Sequence, residues 1–395
     1  MRLLHTSDWH LGRSFHGAPL LSQQRAVLQS LVDLVRAEGV DVVLVAGDLY
    51  DRQLPPVEAV ELLSETLAGL RAAGAHVVGI AGNHDSGTRV AFAEPLLARS
   101  GVSLRGDLRR LAEPVLIPAA DGGPDLAVGA LPYLEPEAAR HALGAPEARS
   151  HDAVLRVALD AVRAEMATAS RAHGRLRRVA MAHAFVTGGE PSDSERPLTV
   201  GGAGRVGSAR FAGFDYVALG HLHGPQVLGD GTVRYSGSPL PYSFSERDQR
   251  KGVWLVDLAI DGAAYPTFRE LPVPRPLRAL RGTLEELLAS RAASGAEGSW
   301  VQATLTDQVL PREAMARLRA RFPHAVSLAH EPPVPPGAGD GSYRGRARSG
   351  DDLAVLRSFV THVTGAGPDE TVCGHLAQAV AAVRSGAQSV AGTAR

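Results

Sequence analysis

Short apolar runs alternate with longer amphipathic stretches over the first part of the chain, and this alternation limits the folds open to it. The runs DVVLVAG (41–47) and AHVVGIAG (75–82) are rich in valine, as strands are when both faces of their sheet are covered. Residues 55–74 begin with proline, carry apolar residues at helical spacing and end with glycine, which predicts a helix. Residues 21–39 predict another helix. Strands that alternate with helices in this way predict βαβ units and an open sheet with helices on its faces.

The rest of the chain divides into further predicted segments. Additional strands are predicted at 2–5, 177–184, 214–223, 233–239 and 252–258, and a long helix is predicted at 152–172. Prolines near 271–280 mark a boundary, and the strand-like and helix-like segments beyond it predict a small α/β module. A stretch rich in Pro, Gly and Arg then predicts a flexible linker. The predicted domains are 1–274 and 275–331, followed by a linker at 332–352 and C-terminal helices at 353–390.

Composition narrows the class of protein. A length of 395 residues suits two or three domains. The net charge of −1 gives no general attraction to nucleic acid, so binding to a polyanion must come from local patches, metals or a partner. A single cysteine excludes an internal disulfide and fits a reducing compartment. No apolar run reaches the length of about 18 residues that a membrane helix needs, and no basic-then-apolar leader opens the chain, so we expect a cytoplasmic protein without a membrane span.

Polar side chains follow five of the predicted strands. In chain order they are Asp8 and His10, then Asp48, then Asn83, His84 and Asp85, then His183, and finally His221 and His223. Ligands of open α/β sheets bind beyond the carboxyl ends of the strands, so we expect these side chains to meet at one edge of the sheet. Any one cluster is also explained by a turn or a helix cap, as for Asp48 alone. Five clusters that each end a strand favour a site.

Spacing and neighbouring glycines support this interpretation. Residues i and i+2 of an extended segment point the same way, so Asp8 with His10, and His221 with His223, are each expected to hold one ion from one side. Gly12, Gly47, Gly82 and Gly220 stand beside the clusters, where glycine permits sharp turns and close approach.

The donor types predict two metal ions. Carboxylate, imidazole and amide groups without a thiolate suit Mn²⁺ or Fe²⁺ better than a structural Zn²⁺. The clusters contain more candidate ligands than one ion takes, but enough for two ions that share a bridging carboxylate. A pair of ions roughly 3.5–4 Å apart activates water and stabilises charge during displacement at phosphorus. The sequence therefore predicts phosphoester hydrolysis.

The motifs carry a family resemblance. The strings DWH, GDLYD, GNHD, AHA and GHLH resemble the five phosphoesterase motifs of the calcineurin-like metallophosphoesterase superfamily. Within it, LHTSDWHLGRSFHG, GNHDS and YSGSPLPYSFSE are similar to the SbcD family of bacterial exonuclease subunits, the counterparts of the double-strand-break repair nucleases of archaea and eukaryotes. The similarity runs from residue 1 to about 250 and covers the remainder more loosely. It implies an α/β fold: a two-sheet metallophosphoesterase sandwich flanked by helices, with a small α/β capping domain and a C-terminal helical tail.

The resemblance also implies roles for the clustered residues. It assigns a first ion to Asp8, His10, Asp48 and His223, and a second ion to Asp48, Asn83, His183 and His221, so that Asp48 bridges the two. His84 is not expected to bind metal; it would face the substrate phosphate and donate a proton, or stabilise charge, at the leaving oxygen. Asp85 is expected to orient the His84 imidazole.

Activity and partners follow from the same resemblance. It implies an Mn²⁺-dependent 3′-to-5′ double-strand exonuclease and hairpin or single-strand endonuclease that acts in DNA repair, recombination and replication. It further implies an SbcC-type ATPase partner, to which the C-terminal helices of this chain bind. A homodimer within a heterotetramer is implied as well. Arg13, His16 and Arg89 lie beside the motifs and are candidates for DNA backbone contacts, although each is also explained as a solvated surface side chain.

Three alternatives stay open at this point. The same chemistry could serve a small-molecule or phosphoprotein phosphoesterase, which the additional cap and tail disfavour. A DNA-end tethering scaffold with an inactive site is a different class of protein, and the complete ligand set disfavours it. The C-terminal helices could pack back on their own domain instead of binding a partner.

Overall fold

Two six-stranded sheets dominate the computed structural model, which describes residues 1–196, 204–333, 352–364 and 366–391. In spatial order, the strands of the first sheet are Ala264–Glu270, Gly252–Leu258, Arg2–Thr6, Val42–Val45, His76–Ile80 and Val102–Arg105. The strands of the second sheet are Gln226–Leu228, Val233–Tyr235, Tyr216–Gly220, Arg177–His183, Leu126–Leu131 and Val115–Ile117. The central strands of both sheets run parallel.

Alternating side chains of these strands enter two different cores. Leu3 and Leu44 point between the sheets, where they pack with Val179 and Met181 of the second sheet. Leu4 points to the opposite face of the first sheet. This period of two is the ordinary geometry of a strand, and burial on both faces explains the nearly continuous apolar runs in the sequence.

Helices cover the outer faces of both sheets. Leu21–Glu38 and Val57–Ala72 pack on the first sheet, and His151–His173 packs on the second. The other α-helices of the described residues are Gly87–Val90, Glu94–Arg99, Pro136–Ala142, Leu284–Ala289, Ala314–Arg321, Asp352–Thr364 and Glu370–Ala391. The order of layers is therefore helix, sheet, sheet, helix, which confirms the predicted two-sheet sandwich flanked by helices and the predicted C-terminal helices.

Smaller sheets complete the secondary structure. Leu277–Gly282, Trp300–Leu305 and Ala325–His330 form a three-stranded sheet in that order. Phe185–Val186 pairs with Arg205–Val206, and Ser14–Phe15 pairs with Ala18–Pro19. No helix in the described ranges combines the length and apolar character that crossing a membrane would require.

The chain forms two compact units. The first contains Met1–Leu280, Ser290–Ala303 and Met315–Leu328, and the second contains Arg281–Ala289, Thr304–Ala314 and the described part of Ala329–Arg395. Both large sheets belong to the first unit. The predicted domain boundaries stay a prediction, and most of the predicted linker at 332–352 lies outside the described residues.

Candidate metal centre

Five parallel strands of two sheets deliver the predicted site residues. The first three clusters follow the strands Arg2–Thr6, Val42–Val45 and His76–Ile80 of the first sheet, and the last two lie at the ends of Arg177–His183 and Tyr216–Gly220 of the second sheet. The expectation of a single sheet edge is therefore wrong. The clusters meet where the carboxyl ends of two stacked sheets lie side by side, which lets ligands approach from opposite sides.

Backbone conformations with positive φ set the direction of several of these side chains. Asp8, His10, Asp48 and His221 have φ angles of 54°, 45°, 49° and 108°. They are four of the seven non-glycine residues with positive φ in the part of the chain that the structure describes. Such conformations are uncommon for residues with a Cβ atom and collect at functional sites, where the surrounding structure holds them.

The expectation from extended segments holds for one pair and is wrong for the other: Asp8 and His10 share a cluster, but His221 and His223 do not. His221 and His223 do not point the same way: Nδ1 of His221 lies 3.3 Å from Oδ1 of Asn83, whereas Nε2 of His223 lies 3.1 Å from Nε2 of His10. The pair is split because the chain turns at His221. The two imidazoles therefore belong to different clusters, the grouping that the family resemblance implied.

The first cluster consists of Asp8, His10 and His223. One ligand atom from each lies within 4.8 Å of the others, and all three side chains are buried. Oδ2 of Asp8 accepts a hydrogen bond of 2.6 Å from the Ser7 hydroxyl, which fixes the carboxylate. The buried Nδ1 of His10 has no hydrogen-bond partner among the described residues. That nitrogen lies on the Asp51 side of the ring, 3.6 Å from Oδ1 of Asp51. Nε2 of His10 lies 3.1 Å from Nε2 of His223 and 3.5 Å from Oδ2 of Asp48, so Nε2 is the atom that would meet a cation.

The second cluster is built around Asn83. Its Oδ1 lies 2.8 Å from Nε2 of His183 and 3.3 Å from Nδ1 of His221. Nδ1 of His183 lies 3.0 Å from the carbonyl of Ala46, so it carries the proton and donates it. Nε2 of His183 therefore presents a lone pair toward the amide oxygen. Two acceptors that face each other in a buried site fit a cation between them.

Asp48 lies between the two clusters. Its Oδ2 is 3.5 Å from Nε2 of His10 on one side and 3.5 Å from Nε2 of His183 on the other. Its Oδ1 accepts a hydrogen bond of 2.9 Å from the backbone N–H of His84, which holds the carboxylate in place. This is the position that a carboxylate shared by two ions would occupy.

Burial shifts the proton equilibria of the site strongly. It raises the pKa of Asp48 well above its ordinary value, helped by the nearby carboxylates of Asp85 and Asp8. It lowers the pKa of His10 and of His221 well below the ordinary value. Divalent cations favour ionised carboxylates and neutral imidazoles. Bound metal would therefore supply the positive charge that these buried carboxylates need. Carboxylate, imidazole and amide donors without thiolates fit divalent ions such as Mn²⁺.

Two glycines permit the close approach of the loops. A Cβ atom on Gly82 would lie 2.1 Å from Oδ1 of Asp48, and one on Gly47 would lie 2.2 Å from Nδ1 of His183. Gly47 also has a φ of 97°, a conformation that other residues rarely adopt. Gly47 and Gly82 thus pack directly against candidate ligands, whereas a Cβ atom on Gly12 would instead meet Pro56.

His84 is oriented by a different group than predicted. Its Nδ1 lies 2.8 Å from the backbone carbonyl of Asp51, so that Nδ1 donates and Nε2 is left bare, 4.0 Å from Oδ2 of Asp48. The carboxylate of Asp85 instead accepts backbone N–H groups; the donors are Leu49, Tyr50 and Gly82. The expectation that Asp85 orients the His84 imidazole is wrong, because three loop amides already engage that carboxylate.

Sequence reasoning missed residues that contact His223. Ser194 and Glu195 approach it from the segment after the fourth cluster, and Glu246 and Lys251 lie behind it. Two signals were present. Glu246 belongs to the string YSGSPLPYSFSE, and Lys251 is the only lysine of the chain.

The candidate DNA-contacting residues differ in exposure. The Arg13 side chain is only 16% exposed, donates to the backbone carbonyl of Ser194 and lies over the ring of Tyr242. His16 and Arg89 are exposed. Their contact with DNA stays a prediction.

An open space adjoins the second cluster. A cavity of about 710 Å³ is lined by Asn83 together with Gln53, Thr88, Arg109 and Tyr133. Its volume lies in the range of small-molecule sites. The cluster around Asn83 is therefore reachable from outside the protein.

Comparison with known proteins identifies the family. Residues 1–225 match the family described as calcineurin-like phosphoesterase. The SbcD subunit of the nuclease SbcCD of Bacillus subtilis (strain 168) is 37% identical over 346 residues, which cover 83% of this chain and 85% of that protein. The chain belongs to the SbcD family of nuclease subunits.

Other matches agree with the SbcD assignment. The SbcD subunit of the nuclease SbcCD of Staphylococcus epidermidis is 27% identical over 365 residues, or 92% of this chain and 94% of that protein. Residues 273–364 match the SbcD C-terminal family, described as type 5 capsule protein repressor C-terminal domain. Among solved structures, TT1561 of Thermus thermophilus has a TM-score of 0.37 and 13% identity over 68% of this chain and 98% of that one, a likeness too weak to bear on the site.

Proposed function

We propose that this chain is a two-metal phosphodiesterase that cleaves DNA. The observation that carries the proposal is the position of Asp48, whose Oδ2 lies 3.5 Å from an imidazole nitrogen of each cluster. A carboxylate between two groups of nitrogen and oxygen donors is what a pair of divalent ions that share a ligand requires. The family assignment supports the same chemistry.

The proposed ligands divide between the clusters. Asp8, His10 and His223 would hold one ion and Asn83, His183 and His221 the other, with Asp48 common to both. Mn²⁺ is the proposed metal, because the donor set is mixed and lacks thiolates. Such a pair supplies an activated water and stabilises the charge of the phosphate oxygens.

His84 completes the proposed chemistry from the protein side. Burial lowers its pKa to about 3, so the ring is neutral at pH 7, and the Asp51 carbonyl leaves Nε2 facing the metal side. We propose that Nε2 of His84 takes up a proton from solvent when the negatively charged phosphate binds beside it, and that it donates this proton to the departing sugar oxygen.

The proposed substrate is double-stranded DNA, at ends and hairpins, in DNA repair, recombination and replication. Both curated relatives are named as nucleases, which supports DNA over a small phosphoester. Exonuclease action from 3′ to 5′ and hairpin or single-strand endonuclease action are part of this proposal. The net charge of −1 implies that Arg or metal contacts to phosphates carry the affinity, so binding should weaken steeply with salt.

The proposed partner is an SbcC-type ATPase. Both relatives are named as subunits of an SbcCD nuclease, which supports it. We propose a nuclease domain at 1–274, a cap at 275–331, a linker at 332–352 and SbcC-binding helices at 353–390. Val363 and Val383 on these helices are 64% and 72% exposed, which suits a surface that a partner covers.

We propose a cytoplasmic location, because a chain with a single cysteine fits a reducing compartment.

We also propose a homodimer within a heterotetramer. Phe92 and Leu96 are 78% and 67% exposed, and Leu54 and Val57 are each 69% exposed. The two segments are connected, since Arg89 donates a hydrogen bond of 2.9 Å to the Gln53 carbonyl. Large apolar side chains that cluster at the surface suit an interface between copies of the chain.

A comparison of two substrates tests the proposal. The full chain is incubated with Mn²⁺ and either hairpin DNA or a nitrophenyl phosphodiester, with and without an SbcC-type ATPase. We expect cleavage of both substrates. The ATPase partner should increase the rate of DNA cleavage but not the rate of nitrophenyl ester hydrolysis. Hydrolysis of only the nitrophenyl ester under all conditions would favour a small-molecule phosphoesterase, and no hydrolysis of either would favour a scaffold.

A further inference from the structure

The only lysine of the chain is buried behind the candidate metal centre. The Lys251 side chain is 1% exposed. Its Nζ donates to the backbone carbonyl of His223 at 2.8 Å, to Oγ of Ser238 at 3.1 Å and to Oε1 of Gln249 at 2.9 Å. It also contacts Oε2 of Glu246, whose side chain is fully buried. A buried charge pair of this kind contributes little net stability compared with apolar residues, so its presence calls for another role.

The second carboxylate oxygen of Glu246 points to a serine. Oε1 lies 2.5 Å from Oγ of Ser194, and Oγ of Ser194 lies 2.5 Å from Nδ1 of His223. The ionised carboxylate only accepts hydrogen bonds, and the hydroxyl has a single proton, so Ser194 donates to Glu246. Ser194 must then accept from His223. Nδ1 of His223 carries the proton, and Nε2 is left as a lone pair.

That lone pair faces the candidate ligands. Nε2 of His223 lies 3.1 Å from Nε2 of His10, inside the first cluster. The backbone of His223 is held as well, since its N–H donates to Oε1 of Glu195 at 2.7 Å and its carbonyl accepts from Lys251. Both the direction of the ring and its tautomer are thus set by residues outside the cluster.

We propose that Lys251, Glu246 and Ser194 form a relay of positioning residues that holds His223 in its metal-binding tautomer. The relay rests on the proposed function, because it acts through a metal ligand. Lys251 keeps Glu246 ionised, Glu246 accepts the hydrogen bond of the Ser194 hydroxyl, and Ser194 accepts that of the His223 Nδ1–H. Groups that orient a ligating histidine in this way typically account for about 10–100-fold in metal affinity.

The test compares Mn²⁺ binding by full-length variants. Ser194→Ala and Glu246→Gln are each expected to lower the affinity for one of the two Mn²⁺ ions by about 10–100-fold. Each should also reduce the spin-coupled signal of the Mn²⁺ pair in electron paramagnetic resonance. Ser194→Thr keeps the hydroxyl and is expected to retain the wild-type signal. Glu270→Gln is the matched control, because Glu270 is an exposed partner of Arg250.

The outcomes separate the relay from the proposed function. Two Mn²⁺ ions bound to Ser194→Ala and Glu246→Gln with wild-type affinity would overturn the relay and leave the proposed function standing. Failure of the wild-type chain to bind a pair of ions would overturn the proposed function, and the relay with it. If Glu246→Gln unfolds, Ser194→Ala and Ser194→Thr decide between the outcomes, because the first removes the Ser194 hydroxyl and the second keeps it.

Discussion

At the scale of single residues, His84 differs from its histidine neighbours. Its side chain is buried and donates from Nδ1 to the Asp51 carbonyl, while its ring stands edge-on to that of His10 with centroids 4.6 Å apart. The ring is therefore fixed from behind and free at Nε2. A group placed beside the clusters, and held by the backbone, suits contact with a substrate.

Replacing His84 separates catalysis from metal binding. His84→Ala is expected to lower Mn²⁺-dependent phosphodiester hydrolysis by about 10²–10⁴-fold, the usual contribution of a general acid. Calorimetric titration should still find two bound Mn²⁺ ions, because Asp48 and the other proposed ligands stay in place. An unchanged cleavage rate would contradict the role of His84, and loss of an ion would show that it is a ligand.

The types of the site residues could be predicted from local sequence patterns, whereas the division of the histidines between two clusters was implied only by the family resemblance. Asp, Asn and His at strand ends were visible as a pattern. Which imidazole joins which cluster depends on the turn at His221, where φ is 108°, and no local pattern indicated that conformation. The role of Ser194 was invisible for a similar reason, since it reaches His223 from 29 positions away.

At the scale of elements, the site depends on two neighbouring loops of the first sheet that touch without intervening side chains. Gly82 follows a strand of the first sheet and lies against the loop that carries Asp48. A Cβ atom on Gly82 would also lie 2.4 Å from the backbone nitrogen of Asp48. Backbone atoms move less readily than the end of a flexible side chain, so this contact leaves no room for a methyl group.

An added methyl group should therefore disturb the centre. Gly82→Ala is expected to displace the Asp48 loop and to weaken Mn²⁺ binding by about 10-fold or more, the size of effect seen when ligand support is lost. Gly295→Ala is the control, because a Cβ atom there meets no atom within 4 Å. Equal Mn²⁺ affinity of the two variants in titration calorimetry would contradict the tight loop contact.

Two of the strands that the sequence analysis did not identify have sequences that are atypical of strands, each for a different reason. Leu126–Leu131 (LAVGAL) is fully buried, yet half of its residues are Ala or Gly, which have weak strand preference. Ala264–Glu270 lies at the edge of the first sheet, is mostly exposed and contains a proline. Edge strands tolerate such sequences because one side needs no partner. The strands rich in valine were predicted correctly, because burial on both faces requires that composition.

At the scale of the whole molecule, exposed apolar side chains predict association of two copies. Phe92→Asp and Leu96→Asp together should yield a monomer in light scattering, because a charge in the contact would have to lose its water. Ile260→Asp is the control, since Ile260 is 58% exposed elsewhere on the chain. An unchanged molar mass for the Phe92 and Leu96 variant, if the wild type is dimeric, would place the interface elsewhere.

The C-terminal helices predict a second association. Ending the chain after residue 345 should abolish binding to an SbcC-type ATPase in pull-down assays and leave the two Mn²⁺ ions in place. Val363→Asp in the full chain should weaken the same interaction, because Val363 is 64% exposed on the first of these helices. Loss of metal binding together with ATPase binding would instead favour helices that pack back on their own domain.

One diffraction measurement tests the central claim that two sheets jointly bind a pair of cations. Crystals soaked in Mn²⁺ are measured at the manganese absorption edge, where anomalous scattering locates each ion. We expect two peaks roughly 3.5–4 Å apart, with Asp48 coordinating both. A single peak, or two peaks of which neither is bound by Asp48, would contradict the account.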